Sequence, residues 1–255
     1  MIPMLRRLTL AGLALLALAG CDQKQPIDFK IVSGSENTVI EPIVQEFCRS
    51  HAMNCSFEYK GSLDIGATLA PGAQIDADAV WPAASLWVDL FDTGRKVKKL
   101  KSISQSPVIL GVRLAKAKEL GWTDHPVSTR DIVQAVKDGK LKFLMTSATQ
   151  SNSGASAYLA MLAVLVGQPD VIEPGDLDDP KLQDDIKVLL SGVERSSGSS
   201  GWLKDLFLAG RPGPEFAEYD AMWNYESVLK ETNDALAQKG GEKLWAVYPS
   251  DGVFV

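Results

Sequence analysis

The stretch 146-TSATQSNSGASAYLAMLAVLVG-167 begins rich in hydroxyl and amide side chains and then turns apolar. Ser151, Asn152 and Ser153 stand where side chains and the first free backbone N–H groups of a helix converge, and Gly154 permits close approach to the backbone. The chemistry on offer is hydrogen-bond donation to an anion or a carbonyl oxygen. A phosphate-cradling P-loop is excluded, because G-x-x-x-x-G-K-[ST] is absent from the stretch. An acyl-transfer triad has no support either, since neither serine has a histidine partner identifiable from sequence. The same residue types also cap helices and form turns without any ligand.

Three further loops share this small, polar character: SGSEN at 33–37, KGSLD at 60–64 and WPAAS at 81–85. In the first, Ser33 and Ser35 carry donors and Gly34 leaves the backbone open. ERSSGSSGWLKDLF adds Arg195, a guanidinium suited to a carboxylate or other anion, in what reads as a cleft-edge loop or a solvated turn. Trp223, Tyr225 and Trp245 have faces that can stack on an organic ligand, although core packing is the simpler use of such residues. His51 and His125 have no plausible metal-ligand set around them, so no metal and no cofactor is expected. The acids form no pair with diagnostic catalytic placement.

The elements that must position these loops alternate between strand and helix. Phe29, Ile31 and Val32 make a short strand that runs into SGSEN. Val39, Ile40, Ile43, Val44 and Phe47 then recur at helical spacing, with Pro42 tolerated in the opening turn. CSFEYKG is a second strand, and ADAVWPAASLWVDLF is a strand followed by an apolar-faced helix. Beyond it, Pro107 to Val112 is a strand, and Ser128 with Asp131 predicts a capped helix carrying Ile132, Val133 and Val136 inward. LKFLMT is the strand before the opening cluster, which is therefore a strand-to-helix loop. This order predicts an α/β fold with mainly parallel sheets, whose ligands lie beyond the carboxyl ends of the strands.

The N-terminus MIPMLRRLTLAGLALLALAGC has two arginines, an apolar run from Leu8 to Leu18 and small residues before Cys21, the order of an export signal. Its apolar core is short for a membrane span, which needs about 20 residues. The L-A-G-C ending resembles a lipobox, which implies cleavage after residue 20, lipid on Cys21 and, with Asp22 next in a host with two membranes, retention at the inner one. In an oxidising compartment Cys48 and Cys55 are expected to close a local disulfide, since C-x6-C is neither a redox nor a zinc spacing. The chain is 45% hydrophobic with a formal charge of −6, which leaves no bulk cationic footprint for nucleic acid.

Taken together, the lipobox, SGSENTVIEPIVQEF, VWPAASLW, FLMTSATQSNSGASAYLAML, YDAMWNYES and LWAVYPSDGVFV resemble the type II extracellular solute-binding proteins. The resemblance implies two α/β lobes around a central cleft, a small solute held there, with oxyanions among the classes it admits, and delivery to an ABC permease, with no catalysis. It nominates Ser35, Ser85, Ser151, Asn152 and Ser153 as ligand-binding positions, with Glu226 of NYES as a further one. An inward-pointing Glu226 opposes an anionic solute and favours an amine or a metal-bearing one. The expected organisation is a signal over 1–20, a first lobe over 21–105, a second over 106–245 and a return crossover from 246 to 255. The family normally continues past this point, so a shortened C-terminal part is expected at Val255. Competing readings are a sensing or assembly lipoprotein of the same form and an exported serine hydrolase.

Overall fold

The computed structural model describes residues 25–212 and 218–252, so Cys21 and the export signal lie outside the described residues. Two sheets organise the chain. The first has the order β2-β1-β3, with β1 Ile27–Gly34 parallel to both β2 Met53–Lys60 and β3 Ala79–Trp81. Helices α1 Glu41–Ser50, α2 Ser62–Leu69 and α3 Leu86–Phe91 follow these strands in turn, and Ser35–Val39 is a 3-10 turn.

The second sheet has the order β6-β5-β7-β4-β8. β5 Phe143–Thr146 lies parallel to β6 Val193–Ser197 and β7 Ala221–Tyr225, whereas β4 Val108–Arg113 runs antiparallel to β7 and to β8 Leu244–Val247. The sheet is therefore mixed, parallel only where strand-to-helix loops are needed at one edge. Its strands obey period-two alternation between two cores. Val108, Leu110, Val112, Phe143, Met145 and Trp223 face one, with Ile132 of α5 Thr129–Lys137 and Met161 of α6 Asn152–Val166. Ile109, Leu144 and Met222 face the other, with Phe207 of α8 Ser200–Ala209 and Leu229 of α9 Glu226–Gln238. α4 Leu114–Glu119 and α7 Pro180–Ser191 complete the helices used below.

Local signals act as read at several points. Ser128 and Asp131 form a full capping box on α5, and the Asp131 backbone N–H donates to Ser128 Oγ at 3.2 Å. Asp251 lends α5 a second acceptor, receiving the Thr129 N–H at 2.9 Å. Ser250 donates its N–H to the Val127 carbonyl at 2.8 Å, so the segment after β8 lies against the start of α5. Two features depart from the sequence reading. ERSS is strand β6 rather than a loop or turn, because its backbone pairs in parallel with β5. The apolar stripe of α1 is not covered: Val39, Ile43 and Phe47 are 55%, 70% and 55% exposed. Pro42 does sit in the first turn of that helix, where no N–H is missed.

Cys48, the buried residue of α1, is bonded to Cys55 of β2 with an S–S distance of 2.04 Å. Peptide mapping without reduction should recover the two cysteines as one linked species, and two freely alkylated thiols would contradict the bond. Replacing both by alanine should lower unfolding free energy by about 2 kcal/mol, the loop-closure value for so short a ring.

Candidate functional site

The C-terminal ends of β1, β2 and β3 meet the C-terminal ends of β5 and β6 across a cleft. A dense set of hydrogen bonds joins the two sides. Ser35, on the turn after β1, donates from Oγ to Ser199 Oγ at 2.6 Å and accepts the Gly201 N–H at 2.8 Å. Ser199 Oγ reaches on to the Lys60 carbonyl at 3.3 Å. The Leu63 N–H donates to the Gln150 carbonyl at 3.0 Å, and Trp87 Nε1 donates to Asn152 Oδ1 at 2.8 Å. SGSEN therefore meets SGSSG, while KGSLD meets SATQSNSG.

Glycines make this closeness possible. A Cβ on Gly61 would fall 2.1 Å from the Gln150 carbonyl oxygen, and one on Gly201 would fall 2.4 Å from that of Ser35. Both are backbone-to-backbone approaches from opposite sides of the cleft, which no larger residue tolerates at this separation.

Behind the contact line, Ser153 Oγ lies 2.8 Å from both Thr146 Oγ1 and Ser200 Oγ, and 3.3 Å from Ser151 Oγ. Asn152 Nδ2 donates to Tyr225 OH at 2.9 Å. These groups are almost fully buried and satisfy one another, so the network fixes the starts of α6 and α8 rigidly against the sheet.

Beside the contact line is a cavity of about 310 Å³. Glu36, Asn37, Trp81 and Ser85 line it from the first lobe, Asn152 and Tyr225 from the second, and the crossing segment 100–106 closes a further side. Its size suits a small organic or inorganic solute. Glu36 is the cavity's buried acid. Its Oε1 is shut from solvent and has no hydrogen-bond partner. The carboxyl is turned back over Gly34, where a Cβ would lie 2.0 Å from Oε1. Burial pushes its pKa up to about 7, opposed only by a hydrogen bond from its own backbone N–H.

The nominated residues divide into three groups. Ser85 and Asn152 line the cavity. Ser35, Ser151 and Ser153 lie in the hydroxyl network, where Ser35 bonds across the cleft itself. Arg195 is exposed on β6, the outer strand of its sheet, and does not line the cavity. Glu226 is also outside it: its Oε1 accepts from Tyr248 OH at 2.5 Å, and it borders a separate groove with Lys230 and Lys243. Of the aromatics, Trp223 is core, packed edge-on to Phe143 at 6.5 Å; Tyr225 turns its hydroxyl to the cleft, and Trp245 is 40% exposed on β8.

The cavity acid is Glu36, which lies within the SGSEN loop but reads in sequence as an ordinary first-turn acid of a helix. Only the fold of the turn over Gly34 carries it inward. Trp81 opens the WPAAS loop named from sequence, but its aromatic face was not singled out there. Among the described residues no cluster of three or more His, Cys, Asp or Glu is placed to hold a metal ion.

Comparisons with known proteins agree with this architecture. The periplasmic binding protein P5PA shares 16% identity with a TM-score of 0.57, over 89% of this chain and 71% of that one. The periplasmic binding protein AfuA from Actinobacillus pleuropneumoniae, with fructose-6-phosphate bound, gives 16% identity and 0.55 over 89% and 70%. The substrate-binding protein of an ABC transporter from Agrobacterium tumefaciens gives 12% and 0.57 over 93% and 69%. No curated protein matches the chain. At these identities the structural likeness speaks for the fold alone. The family model described as bacterial extracellular solute-binding protein matches residues 30–253, nearly all of the described chain, and on that match the protein belongs to this family.

Proposed function

We propose that the protein captures a small solute in the cavity between its lobes and presents the closed, loaded form to an ABC permease, while held to the membrane by lipid on Cys21. The observation that carries this reading is the cavity itself: both lobes line it, and hydrogen bonds between their backbones and hydroxyls close the cleft beside it. A solute touching both walls favours the closed population, and the closed shape is what a permease can recognise. Catalysis has no support in the site. Ser35 and Ser153 bond to other hydroxyls and to backbone, with no histidine among their partners.

Family membership supports an extracytoplasmic setting, and among the described residues no helix is long and apolar enough to cross a membrane. An oxyanion was the solute class suggested by hydroxyl-rich helix starts. The hydroxyls of Ser35, Ser153, Ser199 and Ser200 are instead engaged with one another, and the cavity carries an acid. The reading here is therefore a small polar solute.

Intact-mass analysis of protein purified gently from its host tests both halves of the proposal. Denatured, it should show a chain beginning at a diacylated or triacylated Cys21, whereas an unlipidated chain starting at Met1 would reject the anchor. Native, it should retain a bound small molecule or gain one from a solute panel, with the scattering radius falling on loading. A protein that neither carries nor takes up any solute would defeat the binding function.

A further inference from the structure

Several polar groups around the cavity are held by partners, Ser106 Oγ and Ser227 Oγ by each other at 3.2 Å. Asn152 spends its Oδ1 on Trp87 and its Nδ2 on Tyr225. Glu36 Oε1 is a buried acceptor with no hydrogen-bond partner. Its neighbour Asn37 donates Nδ2 to Ser33 Oγ at 3.0 Å, so the amide's acceptor, Oδ1, is the atom it can offer a solute. Both residues line the cavity, and Trp81 adds an aromatic wall. A buried carboxylate oxygen left without a donor is costly, and a group that donates to it recovers that cost on binding.

We infer that the solute carries an ammonium group, which the Glu36 carboxylate and the Asn37 carbonyl oxygen receive in the cavity beside Trp81. The inference rests on the solute-binding reading given above. An anion is opposed at this position, because the cavity's acid has no neutralising partner. A bare metal ion is poorly served, since one carboxylate and neutral oxygens fall short of a ligand set and no acidic or histidine cluster adjoins them. The ammonium chemistry is met by a simple amine or by an amino acid. The other charged side chain lining the cavity, Lys101 on the crossing segment, is exposed and is free to turn to water or to receive a carboxylate at the solute's far end.

Calorimetric titration at pH 8 with butylamine, 4-aminobutanoate, butanoate and sulfate, on the wild type and on Glu36→Gln, tests the inference. The expected result is binding of one or both amines, at least tenfold weaker in Glu36→Gln, with butanoate and sulfate excluded. Lys101→Met then separates the sources: loss for 4-aminobutanoate marks an amino acid, and unchanged amine affinity marks a simple amine. Should Glu36→Gln fail to fold, the wild type alone is decisive, because amine affinity must fall at least tenfold between pH 8 and pH 5.5 as the carboxyl takes up a proton. Amine binding indifferent to Glu36 and to pH overturns the inference. So does binding of butanoate or sulfate without the amines, although solute capture then stands. Silence toward the amines removes the ammonium assignment, and only a protein that also takes up nothing from a wider solute panel brings down the binding function with it.

Discussion

Gly61→Ala and Gly201→Ala are each expected to hold the lobes apart. The new methyl would lie 2.1 Å from the Gln150 carbonyl oxygen in the first case and 2.4 Å from that of Ser35 in the second, both backbone atoms of the opposite side. Neither backbone site resists alanine by itself. Gly61 has φ −69 and ψ 152, ordinary extended values, and Gly201 lies inside α8, where alanine is the better helix former. The penalty therefore falls on the closed form and not on either lobe. Overpacking of this kind costs about 1–3 kcal/mol, which lowers apparent solute affinity roughly 5- to 150-fold. Small-angle scattering should report a larger radius of gyration that solute no longer fully reduces, while thermal unfolding of each lobe stays close to wild type. Gly154→Ala is the contrasting control: its methyl meets the Thr146 carbonyl oxygen at 2.2 Å within one lobe, so it should lower stability. Unchanged scattering and affinity in both cross-cleft variants would refute the closure role. Ser35→Ala should act in the same sense and more weakly, since it removes the hydroxyl that bonds Ser199 and Gly201 without adding bulk.

Glu36→Gln is expected to change the pH dependence of stability more than any other single substitution in the cavity. The folded protein keeps a proton on Glu36 up to about pH 7, whereas the unfolded chain releases it near the ordinary value of 4.5. Between these values the folded state binds more protons, so the contribution of Glu36 to stability falls as pH rises and is complete only below 4.5. Over the whole window the change is about 3 kcal/mol. Glutamine does not ionise, so the variant should match the wild type near pH 4.5, gain on it up to about pH 7 and change little beyond. Urea unfolding at pH 4.5, 6 and 8 measures the difference, and parallel curves for the two proteins would show that the carboxyl is not buried as described. Asp131 and Glu194, held below the usual carboxylate range by Ser128 and by Arg211 respectively, act oppositely, and their contributions are lost only at lower pH.

How far the sequence could be read depended on the range of the interactions involved. The capping box at Ser128 and Asp131 was legible because both groups lie within one turn and answer to local hydrogen bonding. The strand-to-helix loop at Ser151 was legible because apolar periodicity changes from two to 3.6 across it. The α/β class followed from the same order of elements, and the family from the resemblance carried by the lipobox, the serine-rich helix start and the other quoted motifs.

The sequence alone therefore determined the order of elements, their caps and the polar loops at strand ends, because each is set by residues a few positions apart. The tertiary structure decided which loop meets which. Ser35 finds Ser199, 164 residues away, and Gly61 finds Gln150, pairings that no local pattern encodes. It also decided that ERSS is a strand, since only the neighbouring β5 backbone supplies its partners. It placed Glu36 in the cavity and left Glu226 outside, although both are acids at the start of a helical turn. The difference lies in the chain's path. The turn after β1 folds the first carboxyl over Gly34 into a solvent-free wall, and α9 leaves the second beside Tyr248 at the surface.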